Sequence, residues 1–277
     1  MKLSLSVRVA EKYHDKRQTS MTLDELARIA VEEGYQALCM RASQLGLETP
    51  PETVGQWRGE LAAGGLAISM VTGDFPIPEN SFEAPAALRN ITPYLDLAKL
   101  LDCDMVRVGL KKEEDVEWAR RAADEAHERG IRLAQQCHVA SLFERVDESL
   151  DVLRRIGRSN FGVTYEPANL EACGEDYGPE TIKRLSPHMI NVYLQNQRLN
   201  PDGRDTLNTW SRGDLGVDHI PIAAQGGIEF PPIMDTLQRI GYDGYVTVHQ
   251  ASTGSETPEE TIRNGARYLK SLTAFEG

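Results

Sequence analysis

The sequence predicts an α/β chain folded as a single (β/α)8 TIM barrel, and three observations carry that prediction. Short apolar or alternating segments recur eight times along the 277 residues. Helix-like patterns separate them, and a parallel pair of strands needs a crossover of about a dozen residues or more. The first strand runs into VRVAEKYHDK, with none of the Gly-rich phosphate turn that a doubly wound open sheet usually places there. Eight strand–helix units in a chain of this length match a closed barrel. No Pro/Gly/Ser linker divides the chain, so residues 1–277 read as one domain.

The elements follow in order. The first strand is LSLSVR (3–8). MTLDELARIAVEEG is a helix with Thr22 as N-cap, Glu25 completing a capping box and Gly34 as the stop. QALCMR (36–41), LAISMVTG (66–73) and DMVRVGL (104–110) are the next strands. EEDVEWARRAADEAHERG is amphipathic and stops at Gly130 in the same way. IRLAQQC (131–137), the helix ERVDESLDVLRRIG, FGVTYEP (161–167) and MINVYLQN (189–196) continue the alternation. The connection 197–230 is the outlier, and loops that long in compact domains are usually functional or mobile. PPIMDTLQRIG, the strand GYVTVHQ (244–250) and the helix TPEETIRNGARYLKSL close the chain.

Bulk properties narrow the partners. The formal net charge of −12 argues against a nucleic-acid or anionic-membrane surface, which needs clustered Lys and Arg. It suits a small neutral substrate, and an anionic one if arginines gather locally. No apolar run approaches a membrane span, and the N-terminus has no signal-type apolar segment, so a cytoplasmic location is expected. A homo-oligomer is compatible with the sequence. The four cysteines, Cys39, Cys103, Cys137 and Cys173, have no CxxC spacing and read as buried free thiols.

In a barrel, alternate strand residues point inward, and the site lies at the strand C-termini. The apolar set of each strand must pack under helices, which turns the polar sets inward. Arg8, Arg41, Arg107, Gln136, His138, Glu166, Tyr193, Gln195 and His249 then converge at the barrel mouth. Burying unpaired polar groups costs about 1–3 kcal/mol each, so this convergence indicates a wet, functional pocket. In the connection 197–230, Trp210 is a candidate sugar platform, and Arg198, Arg204 and Arg212 are candidate anion binders. Asp74 and Phe75 stand at the end of the third strand and are further pocket candidates. His127 reads as a surface residue.

The stretches MKLSLSVR, GIRLAQQCHVASLFE, NFGVTYEPANL, NVYLQN and GGIEFPPIMDTLQRIGYDGYVTVHQ resemble the xylose isomerase-like TIM-barrel family of sugar isomerases, epimerases and dehydratases. That resemblance implies a divalent metal, manganese, zinc or magnesium, held by a fifth-strand Glu, a sixth-strand Asp, a seventh-strand His and a final Glu. It also implies that the two Glu residues shuttle a proton. This sequence departs at each place: Gln136 replaces the first Glu with His138 kept, and Glu166 replaces the Asp with Asn169 kept. Tyr193, Gln195 and Asn196 stand at the seventh strand, and His249 replaces the final Glu.

An amide cannot exchange a proton near neutrality, so Gln136 removes the two-glutamate mechanism. The expected metal set is Gln136, Glu166, Gln195 and His249; the alternative is a pocket without metal, in which Glu166 pairs with Arg8 or Arg107. His138, Tyr193 and Glu166 are the expected proton carriers. Arg8, Arg41, Arg107, Asn196 and Trp210 are expected to bind a small sugar or sugar acid. Three functions remain open: metal-assisted isomerisation or epimerisation of a keto sugar or sugar acid, a lyase or dehydratase reaction, and a non-catalytic sugar-binding barrel.

Overall fold

The computed structural model describes residues 1–252 and 254–276. Eight parallel strands close into a barrel: β1 (Lys2–Ser6), β2 (Ala37–Arg41), β3 (Ala67–Thr72), β4 (Met105–Val108), β5 (Arg132–Gln136), β6 (Phe161–Tyr165), β7 (Met189–Leu194) and β8 (Tyr245–Val248). Each strand pairs with its sequence neighbours, and β1 closes on β8 with Ser4 opposite Thr247. The alternation read from the sequence is the cause. Leu3, Leu5, Val246 and Val248 are fully buried under the helices, while Ser4, Ser69, Thr164 and Thr247 are buried inside the barrel. Small hydroxyls suit the narrow interior, where Ser4 and Ser69 share a hydrogen bond of 2.7 Å across it.

Helix ends behave as their sequences require. The Thr22 hydroxyl accepts from the Glu25 amide at 3.3 Å, and the Glu25 carboxylate accepts from the Thr22 amide at 3.0 Å. This starts the helix Leu23–Glu32, and Gly34 leaves it at φ +67°, where a side chain would be strained. The helix Pro258–Leu272 opens on the same device at Thr257 and Glu260. All four cysteines are free and buried. Among the described residues, no helix is long and apolar enough to cross a membrane.

Two loops depart from the sequence reading. The connection after β7 is a three-stranded antiparallel sheet of Gln197–Leu199, Asp205–Thr209 and Gly213–His219. The segment after β1 is a hairpin of Glu11–Lys12 and Asp15–Thr19. Gly216 makes the tight sheet feasible, since a Cβ there would stand 2.2 Å from the Asn200 carbonyl oxygen. Both additions rise from strand C-termini and wall the barrel mouth.

Candidate active site

A cavity of about 430 Å³ opens at the C-terminal ends of the strands. Arg8 reaches it from just after β1, Arg41 from the end of β2 and Arg107 from β4. Gln136 ends β5, His138 follows it, and Gln195 and His249 stand just beyond β7 and β8. Trp210 lines the rim from the added sheet and is 49% exposed. Glu166 is fully buried behind the lining beside Asn169, which itself faces the cavity.

Charge at this mouth is lopsided. Arg41 is neutralised by Glu11, which it grips with two hydrogen bonds of 2.7 Å. Arg8 instead donates to Gln195 Oε1 at 2.8 Å and to the His249 carbonyl at 3.4 Å. Arg107 is 3% exposed, and its Nε is buried without a partner. Glu166 accepts from Asn169 Nδ2 at 2.8 Å through one oxygen, and the other, Oε1, has no partner among the described residues. Burial pushes this carboxyl up to about 7, against the pull of Arg8, Arg107 and the Asn169 bond.

The histidines are held neutral. His138 Nδ1 lies 3.0 Å from the Val139 carbonyl oxygen, which can only accept. Nδ1 therefore carries the proton and Nε2 keeps its lone pair. Burial, then Arg107, lowers the His138 pKa well below the usual range. Burial and the cations Arg8, Arg41 and Arg107 do the same to His249. The His249 ring stacks on Tyr193 at 3.9 Å between centroids and 7° between planes.

Three sequence expectations are corrected here. Tyr193 is no proton carrier facing the cavity: its hydroxyl lies 3.0 Å from Cys39 Sγ inside the barrel, and burial pushes its pKa far up. Its register partner is Thr247, which puts it a layer below Gln195 and His249. Asn196 is not a substrate ligand, because its amide closes the loop that follows. It donates to the Pro221 and Ala224 carbonyls at 3.0 and 2.9 Å and accepts from the Ile228 amide at 2.9 Å. Asp74 and Phe75 stay outside the lining, Asp74 bonded by Tyr94 at 2.5 Å and Phe75 under Arg17.

Of the other arginines in the long connection, Arg198 pairs with Asp218 at 3.2 Å and Arg212 donates to the Ala172 carbonyl. His127 is exposed. The sequence reading missed Lys16 and Lys111, as well as Tyr13 and His219, all of which line the cavity from the segments that follow β1, β4 and β7. Only Lys111 had a signal, its place just past the end of β4.

The expected metal set does not fit a resident divalent ion. Gln136 Oε1, Glu166 Oε1 and His249 Nδ1 are buried without partners, which leaves three donor atoms but only one carboxylate. The fourth, Gln195 Oε1, already holds the Arg8 guanidinium. Among the described residues, no three His, Cys, Asp or Glu side chains group to hold a metal ion. With a single carboxylate, this set offers a dication little negative charge, and the Arg8, Arg41 and Arg107 guanidinium groups act on the same place.

The profile of the xylose isomerase-like TIM barrel matches residues 27–272. The chain is 26% identical over 183 residues to the rhizopine catabolism protein MocC of Rhizobium meliloti, covering 62% of this chain and 54% of that one. It is 24% identical over 166 residues to an inosose dehydratase of Lacticaseibacillus casei, covering 56% and 54%. The chain spans about half the length of these curated relatives.

Solved structures align along nearly its whole length. The probable 3-DHS dehydratase AsbF from Bacillus anthracis superposes with a TM-score of 0.74 at 14% identity, covering 98% and 99% of the two chains. The IOLI protein, which holds a zinc atom, gives 0.70 at 15% identity over 99% and 100%. D-psicose 3-epimerase with D-fructose gives 0.69 at 14% over 98% and 99%. At these identities the structural likeness establishes the fold.

Proposed function

Because the chain belongs to the xylose isomerase-like TIM-barrel family, we propose that it is an enzyme acting on a small keto sugar or polyol-derived ketone. It removes a proton from the carbon beside the carbonyl and expels a hydroxyl as water. The observation that carries this reading is Glu166: a buried carboxylate whose Oε1 has no partner among the described residues, within the electrostatic reach of Arg8 and Arg107. The dehydratases among the relatives support the same class.

The chemistry follows from the groups present. Glu166 stands behind Asn169 in the lining, so the step requires the reacting carbon to enter past that side chain; Glu166 Oε1 then takes the C–H proton, and the electron pair moves toward the carbonyl oxygen. The Arg8 guanidinium stabilises the negative charge that develops there, the role that an oxyanion-binding group performs in a desolvated site. Carbon–oxygen bond cleavage at the neighbouring carbon then forms the double bond. The protonated Glu166 returns its proton to the departing hydroxyl, so a single carboxyl serves as base and then acid on one face. His138, neutral with its Nε2 lone pair free, accepts a substrate hydroxyl and orients it. Gln136 Oε1 is a second acceptor for substrate hydroxyls. No step is routed through a metal.

Isomerisation is the second reading, since one carboxyl can also pass a proton between adjacent carbons on one face. Incubation of a panel of keto sugars and inososes in deuterated water separates the readings. Dehydration gives a product lighter by one water, and isomerisation gives deuterium in a product of unchanged composition. Glu166→Gln is expected to lower either turnover by about 10³-fold or more, given a typical general-base contribution of about 10²–10⁴. If turnover survives that substitution, Glu166 is not the base. If neither product forms with any ketone, the non-catalytic sugar-binding barrel stands.

A further inference from the structure

We propose that one side of this cavity is an oxyanion subsite formed by Lys16, Arg107 and Lys111, so that the ligand is a sugar derivative carrying a carboxylate or a phosphate. The proposal deepens the functional reading above and rests on this cavity being the ligand site.

The argument starts from charge pairing. This chain has a net charge of −12, so carboxylates are in surplus everywhere else. At the same mouth the buried Arg41 is met by a carboxylate, since Glu11 grips it at 2.7 Å. Lys16, Arg107 and Lys111 have no such partner among the described residues. Lys16 Nζ donates to the Pro78 carbonyl at 2.6 Å. Lys111 Nζ donates to Asn80 Oδ1 and to the Ala140 carbonyl, both at 2.8 Å. Arg107 keeps a buried Nε unpartnered.

Position makes the three one group. Both ammonium groups bind the same short segment, at Pro78 and at Asn80, so they flank one stretch of rim. Lys111 follows the strand that carries Arg107, and all three side chains line the same cavity. Neutral acceptors hold these groups in place without cancelling their charge. Burial, followed by the charges of Arg8 and Arg41, lowers Lys16 to about 7. Burial lowers Lys111 to about 8. An arriving carboxylate or phosphate gives these desolvated cations an anionic partner through charge-assisted hydrogen bonds from preplaced donors. Arg8, bonded to Gln195, is left for the carbonyl end of the ligand.

The test is calorimetric titration of the intact protein with three six-carbon ligands that differ in one group: D-fructose, 2-keto-D-gluconate and D-fructose 6-phosphate. At least one anion is expected to bind ten-fold or more tightly than fructose, and added salt should erode that advantage. Whichever anion binds better identifies carboxylate or phosphate. Lys111→Gln and, on the exposed hairpin, Lys16→Gln should each weaken the anion about ten-fold while leaving fructose binding unchanged. Fructose binding as tightly as both anions overturns the subsite, as does anion affinity untouched by both substitutions or the absence of binding by either anion. Failure of turnover with anion binding intact would remove the reaction and leave the subsite. Turnover on neutral ketones with no anion preference would do the reverse.

Discussion

Glu166 is the residue on which most depends, and its burial has two measurable consequences. With its carboxyl at about 7, the ionised base appears only as pH rises through neutrality. The kcat/KM profile should therefore climb through an acid limb near pH 7. Stability runs the other way. Between the ordinary value of 4.5 and about 7, the unfolded chain has released this proton while the folded one retains it. The stability contributed by a neutral Glu166 is thus present at low pH and lost as pH rises through about 7. Glu166→Gln keeps the neutral shape, so its Tm relative to the native protein should increase from about pH 5 to about pH 8. A constant difference would mean that this carboxyl titrates normally. At this scale the sequence was legible for side chains at strand ends, where alternation alone places Arg8, Gln136 and His249. It failed for Tyr193, because period two gives the face of a strand residue and not its depth. It failed for Asn196, whose carbonyl and amide partners in residues 221–228 come from a loop no periodicity describes.

Among the elements, the sheet after β7 and the hairpin after β1 form the mouth, and side chains hold them. Tyr13 of the hairpin turn donates to Asp205 and sits 2.7 Å from His219 Nδ1, both on the added sheet. Glu144 anchors the sheet from the other side. Its buried carboxylate accepts from the Ala140, Trp210 and Ser211 amides at 2.7, 2.7 and 2.9 Å. Glu144→Ala strips three donors at once. Water reaches the half-exposed Trp210 turn, so the expected loss is about 1–3 kcal/mol rather than three full penalties. Denaturant melts give that number, and hydrogen exchange should show residues 205–219 opening faster while the barrel strands keep their protection. Unchanged exchange there would mean that the sheet stands without Glu144. None of this was readable beforehand. The sheet strands DTLNT and GDLGVDH are short, polar and bounded by glycines, and they look like loop until their partners are known.

The whole molecule was legible for a physical reason: eight strands buried on both faces leave apolar runs at regular spacing, and capped helices between them punctuate the chain. Solved structures of the same fold hold zinc or magnesium, but a family position says where a side chain lies and not what charge surrounds it. The surrounding charge decides here. Arg8 holds the oxygen of Gln195, Glu166 is the lone carboxylate of the expected set, and further cations face them. The central claim is that a tethered guanidinium does at this mouth what a dication would do elsewhere. The most direct measurement is the metal content of protein incubated with excess zinc, manganese or magnesium and then desalted. The account expects far less than one ion per chain, with ligand binding unchanged by chelator. One tightly held ion per chain, lost together with ligand binding on chelation and absent from Glu166→Gln, would contradict it.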